Sequence, residues 1–232
     1  MQRNRIFRAL SPADFALLEP HLAAMPLAFR QRLQAPDRSV TRAYFILSGI
    51  ASVVAIGRGD RRQAEVTVVG REGMTGLPVV LGADRSPFDV FVQVEGEAQS
   101  IASDALREAI GASPTLRACL LRCAHVFAIQ ASYTALSNAQ GKIEERLARW
   151  LLMARDRLDQ DEMLLTHDFL ALMLGVRRAG VSTALQAFED RALVRTGRGS
   201  VTMLDRDGLE EQANGLYGVP EAELERLFGA PI

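Results

Sequence analysis

The chain has 232 residues, of which 48% are apolar and 24% charged, and a formal net charge of −1. That length suits one large or two small domains, each with a buried core, and the composition is that of a folded soluble protein. No apolar run approaches the roughly eighteen residues of a membrane span, and the opening "MQRNRIFRALSPADF" lacks a secretory leader, so the expectation is a cytoplasmic protein without membrane contact.

Ser11 is a good N-cap and Pro12 suits the first helical position, after which Phe15, Leu18 and Leu22 fall at helical spacing. The stretch "RAYFILSGIASVVAIGRGDRRQAEVTVVG" then offers short β-branched and aromatic runs broken by glycine, with "GRGDRR" composed like a hairpin tip. "FDVFVQV" and "AQSIA" continue the pattern. Several short strands within roughly 75 residues predict a compact antiparallel roll or barrel.

In "SPTLRACLLRCAHVFAIQASYTAL", Ser113 and Pro114 start one long helix with Leu116, Leu120, Cys123, Phe127, Ala131 and Leu136 on its apolar side. From Pro114 to Leu136 it would span about 35 Å, longer than one small roll needs. The surplus assigns Leu116, Leu120, Cys123, Phe127 and Ala131 to a dimer interface; the alternative is that the stripe packs on its own roll. Asn138 is read as the cap of a second helix, with Ile143, Leu147, Trp150, Leu151, Ala154 and Leu158 as its stripe. The resulting division is 1–112 for the roll and its first helix, 113–137 for the central helix, and 138–232 for a helical C-terminal part.

Thr166 caps a further helix that buries Phe169, Leu170 and Met173 or Leu174, and Gly175 supplies the turn. The next helix buries Val181, Ala184, Leu185 and Phe188, leaving Arg177, Arg178, Ser182, Thr183 and Gln186 on or near its outer face. A small Ala171, a glycine four residues later and Val181 six beyond that have the spacing of a helix-turn-helix. "ALVRTGRGSVTMLD" predicts strand, turn and strand, a wing carrying Arg195 and Arg198. An arginine fork at a helix start matches guanine O6 and N7, while wing arginines suit phosphate. The competing reading is a solvated helical hairpin that holds nothing.

The overall charge hides an asymmetry. Gly175 to Ser200 holds five arginines and two acids, whereas Asp207 to the C-terminus holds six acids and one arginine. The basic stretch coincides with the hinge and wing.

These features resemble the bacterial Crp/Fnr superfamily of transcription regulators over nearly the whole chain. The carrying stretches are "REGMTGLPVVLGADRSPF", the long central helix, "GKIEERLARWLL" and, most specifically, "LTHDFLALMLGVRRAGVSTALQAFEDRALVRTGRGSVTMLD". The resemblance implies an α+β fold: a cupin-like antiparallel β-roll (double-stranded β-helix), a central dimerisation helix and a C-terminal winged helix-turn-helix. It also implies a homodimer on a palindromic site in double-stranded DNA, RNA polymerase as a partner, and a signal received by the roll. Arg178 matches the first arginine of the family's recognition helix, but Ala179 stands where Glu is frequent and Thr183 where a second Arg is frequent. Base preference should therefore shift without loss of phosphate affinity.

The resemblance places an effector pocket at Gly73, Met74, Thr75, Gly76, Arg85, Ser86 and Phe127. Relative to the cyclic-nucleotide branch, Met74 replaces the ribose-gripping Glu, Pro87 replaces Ala, and Phe127 and Ala128 stand where polar residues touch the purine. Cyclic AMP is therefore not the expected ligand; a different small molecule and no ligand at all both stay open, and the cofactor is unknown. No cysteine precedes Cys119, so the N-terminal thiolate cluster of the iron–sulfur branch is absent. Cys119 and Cys123 suit packing, with a redox role as the alternative. His21, His125 and His167 form no metal-ligand pattern, and no nucleophile elbow, Walker loop, paired carboxylates or H-E-x-x-H motif points to an enzyme. Against a DNA-binding regulator stands a non-DNA, small-molecule-binding signalling module that uses its helical tail for protein contacts.

Overall fold

The computed structural model describes residues 3–58 and 63–229. A short helix, α1 (Arg5–Ala9), precedes the expected α2 (Pro12–Leu18). Asn4 caps α1 by accepting from the N–H groups of Ile6 and Phe7, and its amide donates to the carbonyls of Ile46 and Gly73. That tie fixes the chain start to the roll. Ser11 caps α2 as its position predicts.

The roll follows as β1 (Ala23–Leu27), β2 (Arg32–Gln34), β3 (Arg42–Ile56) and β4 (Gln63–Val69), then a one-turn helix α3 (Leu77–Val80) and β5 (Phe88–Ala102). All pairings are antiparallel, in the order β1-β5-β3-β4, with β2 also paired to β5. The expected short runs are in fact two strands of 15 residues each, β3 and β5. Their glycines bend the ribbon instead of ending it. A Cβ on Gly49, whose φ is +80°, would collide with the Val94 carbonyl, and one on Gly96 with the Ser48 carbonyl. The register slips at this point, so the two strands fold over together into a roll. Of the expected hairpin tip, 59–62 lies outside the described residues.

Helix α4 (Ser103–Ala112) leads into α5 (Pro114–Gln140), capped by Ser113, whose hydroxyl accepts from Leu116 N–H. Asn138 lies inside α5 and does not cap the next helix; its carboxamide oxygen accepts from Arg146 instead. The break comes at Gly141, after which α6 (Ile143–Arg157) opens with Glu145 accepting the Lys142 N–H.

The central helix also corrects the expected dimer contacts. Leu116, Leu120 and Cys123 are buried among Ile6, Phe45, Met74 and Leu106, and Phe127 packs half-buried on the same core. That stripe covers the chain's own roll, and Ala131 is half-buried. The uncovered face of α5 carries Ala118, Leu121, Ala128, Ser132, Ala135 and Leu136, with the two leucines 40% and 44% exposed.

The remaining elements are β6 (Glu162–Met163), α7 (His167–Leu174), α8 (Arg178–Asp190), β7 (Val194–Gly197), β8 (Ser200–Met203), α9 (Arg206–Gln212) and α10 (Val219–Phe228). One core joins α6, α7, α8, the β6-β8-β7 sheet and α9, and it includes Ile50 and Val68 from the roll. The C-terminal unit is therefore seated on the roll. Among the described residues no helix is long and apolar enough to cross a membrane.

Candidate nucleic-acid interface

Thr166 accepts the Phe169 N–H and starts α7; Gly175, at φ +63°, ends it in the left-handed conformation that favours glycine. The chain then needs only Val176 and Arg177 before α8 begins, with Arg177 extended at its N-cap position and Arg178 its first residue. Leu170, Ala171 and Leu174 of α7 and Val181, Ala184, Leu185 and Phe188 of α8 are buried against each other and α6. Ala171 is the small residue that lets the two helices approach. Burial of that face leaves Arg177, Arg178, Thr183 and Gln186 exposed and Ser182 half-buried.

The wing lies against the start of this hinge. β7 and β8 pair from Val194↔Met203 to Gly197↔Ser200, with Arg198 and Gly199 at the tip. Glu189, near the end of α8, accepts both the N–H and the hydroxyl of Thr196, at 2.6 and 2.8 Å. Those two hydrogen bonds hold its carboxyl below the usual range and fix the wing to α8. A Cβ on Gly199 would stand 3.8 Å from the Thr166 methyl. Next to Thr166, the His167 ring bonds Ser182 Oγ at 2.9 Å. Wing tip, α7 start and first turns of α8 thus form one continuous surface. Sequence reasoning left His167 outside the site, since its partner lies fifteen residues away. The third strand, β6, was also not foreseen, because "EM" is too short to show a period.

Each polar group on this surface has a definite state. Arg178 Nε is 3.4 Å from Asp168, with the side chains 66% and 73% exposed. Such a pair is worth at most about 1 kcal/mol, so the guanidinium is easily yielded to a stronger anion. Thr183 donates its hydroxyl to the Ala179 carbonyl, which leaves its methyl as the free group, and Gln186 donates to Asp190 at 3.0 Å. Arg195 and Arg198 are exposed. The acidic tail packs elsewhere, α9 on α6 and α10 on α5, so the arginines keep a basic face.

The expected effector residues divide. Gly73, Met74 and Phe127 line a cavity of about 30 Å³ between the roll and α5, together with Thr67, Cys123 and Gln130. Thr75 is buried and donates its N–H to the Tyr44 carbonyl, while Gly76, at φ +80°, packs on Ala43 and opens α3. Arg85 and Ser86 do not join them. Arg85 is exposed and pairs with Asp84; Ser86 accepts the Phe88 N–H as the turn into β5. The cavity has room for about one water, far below the several hundred Å³ of a ligand pocket. Its far wall is the helix α10: Leu224 and Phe228, with Arg122 5.9 Å from the Phe228 ring centroid and Glu223 bonded to His125. Burial pushes the Cys123 thiol up to about 12 and raises Cys119 as well, so both pack as thiols.

Residues 145–212, from α6 through α9, match the family of Crp-like helix-turn-helix domains. The chain is 28% identical over 225 residues to a CRP-like cAMP-activated global transcriptional regulator of Mycobacterium tuberculosis, covering 92% of this chain and 98% of the relative. Its fold is similar to that of FixK2 from Bradyrhizobium japonicum, with a TM-score of 0.71 at 15% identity over 82% of this chain and 96% of that one. A CRP-family transcriptional regulator from Thermus thermophilus gives a TM-score of 0.67 at 17% identity, over 82% and 97%. The matched region holds the hinge, α8 and wing described above, and the likeness in fold extends through the roll and α5. The C-terminal part therefore carries a Crp-like helix-turn-helix domain, and the chain as a whole is similar to CRP-like transcription regulators.

Proposed function

We propose that the protein acts as a homodimer that reads a two-fold-related DNA site with α8 and clamps the flanking backbone with its wing. The observation that carries this reading is the continuous surface formed by Arg198, Thr166, His167, Ser182, Arg178 and Arg177. Arg178 is the base reader, with a fork suited to guanine; Arg177, Arg195 and Arg198 contact phosphate. Thr183 offers its methyl to thymine, and Ser182 and Gln186 serve neighbouring base edges. The exposed Leu121, Ala128 and Leu136 face of α5 is the dimer surface, in place of the stripe that covers the roll.

The signal enters through the roll and changes how the readers are set relative to each other. The Mycobacterium tuberculosis relative is cAMP-activated. Here the 30 Å³ cavity, Met74 and the Phe228 wall speak for a different signal.

Selection from a random duplex pool tests the reading. The expected outcome is enrichment of paired, inverted half-sites centred about 34–36 Å apart along the duplex, one helical turn or a multiple. Enrichment of no sequence, with retention of the fold, would favour the non-DNA signalling module.

A further inference from the structure

The C-terminal unit rests on the roll through a buried polar joint. The roll contributes Ser52 of β3, Glu65 of β4 and Gln93 of β5; the other side contributes Trp150 of α6 and Met173 of α7. Glu65 is only 6% exposed. Trp150 Nε1 donates to Glu65 Oε1 at 2.7 Å, and Ser52 Oγ stands 2.7 Å from Glu65 Oε2 while also touching Gln93 Oε1.

With the Gln93 amide oxygen facing Ser52 and its Nε2 without a partner, this arrangement is one proton short. The Ser52 hydroxyl lies between two acceptor oxygens and has a single hydrogen. A proton on Glu65 Oε2 completes the chain: Glu65 donates to Ser52, Ser52 donates to Gln93 Oε1, and Glu65 Oε1 still accepts from Trp150. The nearby cations give an ionised Glu65 little compensation. Arg157 is engaged by Glu72 at 2.7 Å and by the Met153 carbonyl; Arg149 donates to the Leu216 carbonyl and shares the field of Glu221.

We propose that Glu65 is a neutral carboxylic acid while α6 and α7 are seated on the roll, and that the seat loosens as this proton is released to water, making the joint pH-sensitive. Burial pushes the carboxyl up to about 7, against the opposing pull of Ser52, Trp150, Arg149 and Arg157. Lifting the unit away returns Glu65 to water and to an ordinary carboxyl near 4.5. Seating therefore takes up a proton between these values. Its equilibrium constant is constant below about pH 4.5, falls by up to about tenfold per pH unit as pH rises toward 7, and levels off above.

Trp150 is the only tryptophan in the chain and reports on the joint directly. Its emission should titrate with one midpoint near 7, and an infrared carboxylic-acid carbonyl band should vanish with the same midpoint. Glu65→Gln keeps an acceptor for Trp150 and a donor for Ser52, so it should abolish both titrations and stay seated throughout. Flat Trp150 emission from pH 5 to 9, or a titration that persists in Glu65→Gln, overturns the proposal. So does the lack of an acid band in the wild-type chain near pH 5.5, a result that needs no variant and means that Gln93 is turned about to donate to Ser52 beside an ionised Glu65. The measurements use no DNA and are independent of the role of α8.

Discussion

Among the described residues Glu72 and Arg157 form the most deeply buried ion pair, with side chains 7% and 3% exposed and an Nε–Oε1 distance of 2.7 Å. Glu72 also accepts the Gly70 N–H, and Arg157 reaches Gln130 Oε1 at 2.9 Å. Removing one partner strands the other charge without water, so Glu72→Ala should cost about 3–5 kcal/mol in urea unfolding. A loss below about 1 kcal/mol would mean that water enters the joint. Single residues were legible in the sequence where their physics is local. Ser11, Ser113, Thr166 and Gly175 act on neighbours a few positions away, and their cap and turn roles follow from residue type. Trp150 and Arg157, which bond Glu65 and Glu72, lie 85 residues further along the chain, beyond any periodic signal.

At the scale of elements, glycine was the main source of misreading. In β3 and β5 it marks a bend forced by two backbones in near contact, whereas from composition alone it signals a break. The central helix shows a second limit. α5 carries apolar or small residues on both faces, so spacing finds a stripe without saying which body it meets. The roll takes Leu116, Leu120 and Cys123; the opposite face is the proposed dimer surface. On that proposal Leu121→Glu should shift the protein from dimer to monomer in sedimentation while circular dichroism shows the fold retained. A dimer unchanged in mass would move the interface off α5. α10 was not foreseen either. The acids dominate the composition of this stretch, yet Leu224 and Phe228, four residues apart, place an apolar edge against the cavity beside α5.

For the whole molecule, a net charge of −1 is compatible with DNA binding because the charge is segregated in space. The hinge and wing keep five arginines, and the helices that carry the acids, α9 and α10, pack on α6 and α5. The fold class and the hinge with its wing were readable because their signals span many residues and agree with one another. The effector pocket was not. Gly73, Met74 and Phe127 line the small cavity, Arg85 and Ser86 are engaged outside it, and α10 closes what remains. The most direct test is the salt dependence of affinity for the selected duplex, compared between the wild-type chain, Arg178→Ala and Arg198→Ala. DNA reading by α8 and the wing requires that Arg198→Ala weakens binding to all sequences and lowers the salt slope by about one, while Arg178→Ala costs about 1–3 kcal/mol and relaxes preference at one base of each half-site. Unchanged affinity and slope in both variants would contradict it.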